Sequence, residues 1–257
     1  MRLTGKIFTI GNTGGQRAQG KGFLSAFPCP AARSSLGLRP LPMDSTSERE
    51  EMVRVQLAGR GIRDLRVLDA MRQVPRHEFV AEQFQQNAYE DHPVPIGAGQ
   101  TISQPYIVAA MLEHLALRSG DRVLEVGTGS GYVTALLSVL CAEVYSVERY
   151  VRLATSAERT LRRLGYKNIK IKVGDGSQGW FEYAPFDAIV VSAAGAAIPP
   201  ELFVQLREGG RMILPVGPSS SQELQLISKI GGQLEVEVLE GCRFVPLVEG
   251  AVDNAEC

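Results

Sequence analysis

The chain has 257 residues, of which 44% are apolar and 21% are charged, and its formal net charge is −1. This length and balance exclude a fibrous or low-complexity protein and are typical of one full α/β domain with a small addition. The longest apolar stretches, 133–142 and 188–198, are shorter than the roughly 18 to 20 residues that a membrane span needs. We therefore expect a globular protein that does not cross a membrane.

The cysteines give no sign of a metal site or of disulfides. Cys29, Cys141, Cys242 and Cys257 form no CxxC pair and have no histidine at metal-ligand spacing. Neither a zinc site nor an extracellular disulfide framework is therefore indicated. We expect no metal and a reducing, cytoplasmic location.

Charge is distributed unevenly along the chain. Six of the 27 basic residues precede Asp44 and no acidic residue does, so the remainder carries 21 Lys and Arg against 28 Asp and Glu, a net charge of −7. An acidic domain is repelled by phosphate backbones, because nucleic-acid affinity depends largely on cationic side chains. We expect no nucleic-acid partner.

Four regions follow from composition and periodicity. Residues 1–43 are rich in Gly, Pro, Ser and Arg without periodicity, and we predict a disordered basic extension. A targeting segment, or a true start at Met43 or Met52, remains an alternative. Residues 44–104 are expected to form an N-terminal helical and substrate-loop region. Residues 105–250 are expected to form the core, with a tail at 251–257.

Apolar residues at three- and four-residue spacing from Ser47 predict two short helices that stop at Pro75, followed by a loop at 92–99. Pro105 begins a strong helix at 104–116, with Ser103 near its N-cap. The histidines at 77, 92 and 114 have no catalytic spacing and are expected to be surface or capping groups.

Beyond Gly120, short apolar runs alternate with helical segments. The predicted strands are 122–126, 143–147, 169–173, 187–192 and 211–216, and the predicted helices are 132–141, 150–164 and 199–207. This alternation indicates a Rossmann-like, doubly wound, mostly parallel sheet. Polar and apolar residues alternate at 223–229 and 234–240, around Gly231-Gly232, and predict antiparallel C-terminal strands.

Ligands of such sheets bind beyond the carboxyl ends of the strands. The first predicted strand ends in Glu125-Val-Gly-Thr-Gly-Ser-Gly-Tyr132, whose alternate glycines, Gly127 and Gly129 among them, let the backbone turn tightly against a ligand. Glu148 ends the second strand, 21 residues after Gly127, where an acidic side chain commonly binds ribose hydroxyls. Asp175 and Gly176 follow the third strand and are expected to address an adenine ring.

A dinucleotide-binding site shares these features but requires a third glycine at position 132, where this chain has Tyr132. Glu125 would also repel a pyrophosphate, whereas it would favour a ligand with a sulfonium and an amino-acid group. S-adenosylmethionine therefore fits the pattern better than a nicotinamide cofactor.

Several segments together resemble the protein-L-isoaspartate (D-aspartate) O-methyltransferases, over about residues 50–249. The segment from Gly99 to Tyr106 matches that family, and the part Gln100-Thr-Ile-Ser-Gln-Pro105 is distinctive of it. The other matching segments are 93–98, 123–132, 145–149, 174–176, 179–180, 184–189, 209–211, 215–217 and 243–247. The chain departs from the family pattern at Ser192 and Val248, where threonine is usual, and in its tail, which lacks the frequent basic end.

The resemblance implies a class I fold and methyl transfer from S-adenosylmethionine to the α-carboxylate of isoaspartyl or D-aspartyl residues in damaged proteins, which starts their repair. It implies Ser103 as the active-site residue and a monomer acting on isoaspartyl proteins and peptides. The residues expected to bind the cofactor or line the transfer site are Gln100, Thr101, Ile102, Ser103, Glu125, Gly127, Gly129, Glu148, Asp175 and Gly176.

The absence of a catalytic histidine pattern agrees with this chemistry. A carboxylate has an ordinary pKa near 4 and is already a nucleophile at neutral pH, so no general base is needed. We expect Ser103 to orient the attacking oxygens. Two alternatives remain: a methyltransferase of small molecules or nucleic acid, and a non-catalytic module that binds S-adenosylmethionine.

Overall fold

The computed structural model describes residues 44–250. The predictions for the extension at 1–43 and the tail at 251–257 therefore lie outside the described residues. Within the described part, a two-stranded hairpin, six α-helices and a seven-stranded sheet form one compact unit. None of the helices in 44–250 is both long and apolar enough to cross a bilayer.

The first N-terminal helix begins earlier than the apolar periodicity indicates, whereas the second begins where the periodicity places it. Helix α1 spans Ser45–Glu51 and begins at Asp44, whose side chain accepts hydrogen bonds from the amides of Thr46 and Ser47. It continues as a π-helical segment over Met52–Leu57. Helix α2 spans Leu65–Gln73, and Asp64 caps it in the same way. The chain then leaves the helix before Pro75, as predicted.

The segment predicted as a loop at 92–99 contains a strand instead. Strand β1 (Val94–Gly97) pairs antiparallel with β2 (Gln100–Ile102) in a two-stranded hairpin. Its turn has positive φ at Gly97, Ala98 and Gly99. Helix α3 follows at Pro105–Leu115.

The remaining elements alternate as the sequence predicts. They are β3 (Arg122–Val126), α4 (Tyr132–Leu140), β4 (Glu143–Glu148), α5 (Val151–Arg163), β5 (Ile169–Val173), β6 (Phe186–Val191), α6 (Pro200–Gln205), β7 (Leu206–Val216), β8 (Gln222–Ile230) and β9 (Gln233–Cys242). Strand β7 begins five residues before the prediction, and α6 is correspondingly shorter than 199–207.

The sheet has the order β5-β4-β3-β6-β7-β8-β9. The first five strands in this order are parallel, and β8 and β9 complete the sheet antiparallel. The carboxyl ends of β3, β4, β5 and β6 therefore meet at one edge. The predicted Rossmann-like, mostly parallel fold with antiparallel C-terminal strands is confirmed.

Two apolar cores cover the two faces of this sheet. Because strand side chains alternate, Val123 of β3 belongs to a core shared with α2, α3 and α4, whereas Leu124 packs on the opposite face with Phe186 and Leu202 of α6. The first core includes Met52 and Leu57, so the N-terminal region is continuous with the sheet domain rather than separately packed. This packing fixes the β1-β2 hairpin above the strand ends.

Candidate active site

A cleft of about 790 Å³ opens at the carboxyl edge of β3, β4 and β6. This volume includes space that is open to the solvent. Eight of the ten predicted site residues line it: Gln100, Thr101, Ile102, Ser103, Gly127, Gly129, Glu148 and Gly176. The structure thus brings together residues that are up to 76 positions apart along the chain.

The glycine loop between β3 and α4 forms the floor of the cleft. Gly127 and Gly129 have φ of +93° and +54°, in the left-handed region that side chains rarely adopt. A Cβ at Gly127 would lie 3.5 Å from the Cβ of Ser192, and one at Gly129 would lie 3.4 Å from Ile96 of the hairpin. Both distances are ordinary van der Waals contacts, so the left-handed backbone, rather than a lack of space, favours glycine at these two positions.

Glu148 connects the second strand to this loop. Its carboxylate accepts one hydrogen bond from the Gly129 amide, at 2.8 Å, and another from the Tyr150 amide, at 2.9 Å. The side chain is almost fully buried although it lines the cleft. A carboxylate has about four acceptor positions, so capacity remains for a ligand hydroxyl.

Ser103 lies between the hairpin and α3, but it does not cap the helix as predicted. The N-cap position belongs to Gln104, which makes no side-chain capping bond, and Pro105 occupies the first helical position. The Tyr106 amide at the second helical position instead donates to the Asp91 carboxylate, at 3.3 Å. Within the described part of the chain the Ser103 hydroxyl has no hydrogen-bond partner, so it can donate to a ligand.

The structure places Glu125 beneath the cleft rather than in its wall. It is fully buried, and its carboxylate accepts hydrogen bonds from the hydroxyls of Thr134 and Ser146, each at 2.6 Å. Burial raises the pKa of Glu125 to about 8, against the lowering effect of both hydroxyls. The Ser146 hydroxyl also lies 2.5 Å from that of Thr128, which does line the cleft.

Asp175 is also outside the cleft wall. One carboxylate oxygen accepts hydrogen bonds from the amide and hydroxyl of Ser177, and the other accepts one from the Gly250 amide at 2.7 Å. Burial acts to raise the pKa of Asp175, but these hydrogen bonds outweigh it and the net shift is downward. Asp175 thus holds Gly176, which does line the cleft, and the C-terminal segment.

Periodicity and strand order did not place the C-terminal segment at the site, and only the family resemblance, which puts Val248 at the floor of the substrate cleft, did so. Val245 accepts a hydrogen bond from the Ala194 amide, and the Leu247 amide donates to the Ala194 carbonyl, both at 2.8 Å. Arg149 holds the Val248 carbonyl at 2.6 Å. These contacts hold residues 245–248 along the cleft. The segment at 243–247, which resembles the C-terminal signature of the family, was the sequence signal for this placement.

A second cavity, of about 910 Å³, adjoins the cleft. The two cavities share four lining residues: Thr101, Ser103, Ser192 and Val245. The Arg60 guanidinium lies in the second cavity, 3.6 Å from the Tyr106 ring centroid, and pairs with Asp91. The arrangement allows two ligands to meet at the shared wall.

The predicted chemistry needs no metal. Within residues 44–250, no group of three or more His, Cys, Asp and Glu side chains is placed to hold a metal ion. His92 and His114 are exposed, as expected of surface groups, whereas His77 is partly buried and lies 2.7 Å from the Tyr89 hydroxyl. Burial lowers the pKa of His77.

Relatives with this fold are known. A chain from Methanoculleus marisnigri named protein-L-isoaspartate O-methyltransferase is 56% identical over 201 residues, which are 78% of this chain and 91% of that protein. A protein of the same name from Opitutus terrae is 53% identical over 202 residues, covering 78% and 87% of the two chains.

Solved structures agree with the sequence relatives. A putative protein-L-isoaspartate O-methyltransferase from Plasmodium falciparum, crystallised with S-adenosyl-L-homocysteine, matches 79% of this chain and 99% of its own, with a TM-score of 0.70 and 30% identity. The fold is that of the class I S-adenosylmethionine-dependent methyltransferases. The model of the protein-L-isoaspartate (D-aspartate) O-methyltransferase family matches residues 47–252. Since this match spans most of the chain, including the glycine loop and the distinctive 100–105 segment, the chain belongs to that family.

Proposed function

We propose that this chain is an enzyme that transfers a methyl group from S-adenosylmethionine to the α-carboxylate of isoaspartyl or D-aspartyl residues in damaged proteins. The family is named for this reaction, and relatives 53–56% identical carry the same name. The observation that carries the proposal is the position of Ser103 in the wall between two adjoining cavities. A transferase must bring two ligands together, and this wall is where they would meet.

The cleft fits S-adenosylmethionine. A Cβ at Gly176 would lie 2.4 Å from the Val126 side chain, so the backbone runs close to the end of β3 and leaves the space beside it for a ligand. We assign Glu148 to the ribose hydroxyls and the loop at Gly127 and Gly129 to the amino-acid end of the cofactor. The cofactor supplies a methyl group that its own sulfonium charge activates.

Glu125 and Asp175, which the sequence predicts to bind the cofactor, lie outside the cleft wall, and we assign them a supporting role. Glu125 positions the loop through Ser146 and Thr128, and Asp175 positions Gly176. Residues that support a binding group by hydrogen bonding commonly affect affinity without touching the ligand. Gln100, Thr101 and Ile102 complete the wall beside Ser103.

The second cavity is the proposed site for the isoaspartyl segment. Its carboxylate, ionised at neutral pH, would enter beside Ser103 and accept a hydrogen bond from the free hydroxyl. Holding the attacking oxygen in line with the methyl group is the principal task left to the protein. The side chains of Thr101 and Ser192 lie in the same wall and limit the directions from which the carboxylate can approach the methyl group.

We propose further that the protein works in the cytoplasm as a monomer and that nucleic acid is not its substrate. The net charge of −7 from Asp44 onward supports the last point. A nucleic-acid methyltransferase would instead require a basic surface around the cleft. Binding of duplex or single-stranded oligonucleotides at physiological salt would contradict this part.

Labelled-methyl transfer tests the proposed function. The enzyme is given S-adenosylmethionine with a tritiated methyl group and one of two synthetic peptides, identical except that one contains isoaspartate and the other aspartate. We expect base-labile label in the isoaspartyl peptide alone. Label in neither peptide, with cofactor binding intact, would favour a non-catalytic binding module. Transfer to small carboxylic acids or to nucleic acid would favour another methyltransferase class.

A further inference from the structure

Three arginines surround a separate cavity at the opposite edge of the sheet. The cavity, of about 640 Å³, is lined by Arg118, Asp121, Asp187, Arg207, Gly209, Arg211, Ser228 and Ile230. Arg118 and Asp121 come just before β3, and Asp187 lies at the start of β6. The other lining residues lie in the first half of β7 or at the end of the antiparallel β8. The cleft lies beyond the other ends of the same strands, about 15 Å away for a five-residue strand at roughly 3.3 Å per residue.

The two aspartates do not neutralise the three guanidinium groups. Asp121 accepts a hydrogen bond from the backbone amide of Arg118, at 2.8 Å, and Asp187 accepts one from the amide of Arg122, at 2.6 Å. Asp187 also pairs with Arg207. Both carboxylates therefore have structural partners, and the cavity retains a formal excess of one positive charge on a domain that is otherwise acidic.

The arginines are close enough to repel one another. The pKa of Arg211 is lowered, first by burial and then by the charges of Arg118 and Arg207, against the opposite effect of Asp121. Arg211 donates one hydrogen bond to the Ala116 carbonyl at 2.9 Å. The Arg118 side chain makes no hydrogen bond or ion pair within residues 44–250, so its five donors remain available.

We propose that this cavity binds a small multivalent oxyanion, of which phosphate is the simplest form. Arginine recognises phosphate oxygens through paired, charge-assisted hydrogen bonds. Arg118 lies before β3, whereas Arg207 and Arg211 both lie on β7, so the guanidinium groups line the cavity from two separate elements. Bound anion would relieve the repulsion between Arg211 and its two neighbours. The hydroxyl of Ser228, which lines the same cavity, is a further donor.

Titration of the full-length protein with inorganic phosphate and pyrophosphate, followed by calorimetry and amide NMR, tests the site. We expect saturable binding, with shifts concentrated at 118–121 and 207–211. Arg118→Gln and Arg211→Gln should each weaken the affinity by about tenfold, the effect of losing one charge-assisted contact. Arg54→Gln, which removes an exposed arginine charge from the N-terminal helical segment, should not change the affinity.

Parallel titration with a peptide carrying one phosphoserine distinguishes the source of the phosphate. Stronger binding of the peptide than of inorganic phosphate would assign the site to a phosphorylated partner, and the reverse would assign it to a free anion. The proposal is overturned if neither anion binds saturably, or if Arg118→Gln and Arg54→Gln reduce the affinity equally. Because the cavity is remote from Ser103, methylation of an isoaspartyl peptide by Arg118→Gln checks the proposed function independently and should be unchanged.

Discussion

The Glu148 carboxylate accepts a hydrogen bond from the Gly129 amide at 2.8 Å, which joins the end of β4 to the glycine loop between β3 and α4. The same carboxylate receives the Tyr150 amide. One buried side chain therefore fixes two backbone segments of the cleft and faces the place assigned to the ribose. Its removal should affect both the shape of the loop and the direct contact.

Glu148→Ala should weaken binding of S-adenosylhomocysteine by more than about tenfold, because charge-assisted hydrogen bonds are lost to the loop and to the ligand. Calorimetry measures the change. Glu143→Ala, at the far end of the same strand, is the matched control and should keep the original affinity. Equal affinities of the two variants would contradict the assignment of Glu148 to the cofactor site.

Gly127→Val should abolish cofactor binding. The backbone at Gly127 has a φ of +93°, which a β-branched residue adopts only with strain, and the side chain would enter the cleft beside Ser192. Gly120→Val provides the control, since a Cβ there meets no atom within 4 Å and its φ is ordinary. Binding by Gly127→Val at wild-type affinity would show that the loop does not contact the cofactor.

Ser103→Ala should slow methyl transfer by roughly 10- to 100-fold, the loss expected when one positioning hydrogen bond is removed. Affinity for S-adenosylhomocysteine should remain within a few-fold, because the hydroxyl addresses the second ligand. Steady-state kinetics on an isoaspartyl peptide and calorimetry separate the two effects. A matched fall in both quantities would contradict the division of the site into two cavities.

Glu125 should make stability fall as pH rises. Its pKa is about 8 in the folded protein and 4.5 as the reference value, so unfolding releases its proton within that window. The free energy of unfolding contributed by Glu125 is then highest below pH 4.5 and is lost towards pH 8, at up to about 1.4 kcal/mol per pH unit.

Chemical denaturation of wild type and Glu125→Gln between these pH values measures this contribution. Glutamine retains the shape of the protonated acid but cannot ionise, so the stability of the variant relative to wild type should increase with pH and level off above 8. Parallel stability curves would indicate that Glu125 ionises equally in the folded and unfolded chains.

Much of the sheet was predictable because its central strands, such as β3 and β6, are buried on both faces, although β5 at the edge is not. The bounds of β3 and β5 agree with the prediction, since each is a short apolar or alternating run between turn residues. The β1-β2 hairpin was missed because its strands are only four and three residues long and its turn places Ala98 at a φ of +51°. Such a turn depends on tertiary packing that local pattern does not reveal.

Site residues were predictable where the backbone must come close to a ligand. They were less predictable where the direction of a side chain determines whether it reaches the cleft. Gly127, Gly129 and Glu148 follow from position after a strand. Glu125 precedes the first of these glycines by two residues, but it lies on the side of β3 that faces α4 and points beneath the loop to Thr134. The C-terminal segment reaches the cleft through Ala194, a contact between distant parts of the chain that no local pattern encodes.

A crystal structure of this chain with S-adenosylhomocysteine is the most direct test of the account. We expect the ligand in the cleft, with its ribose hydroxyls at Glu148 and its sulfur directed to the wall that contains Ser103. A ligand bound elsewhere, or one whose sulfur faces away from the second cavity, would contradict the assignment.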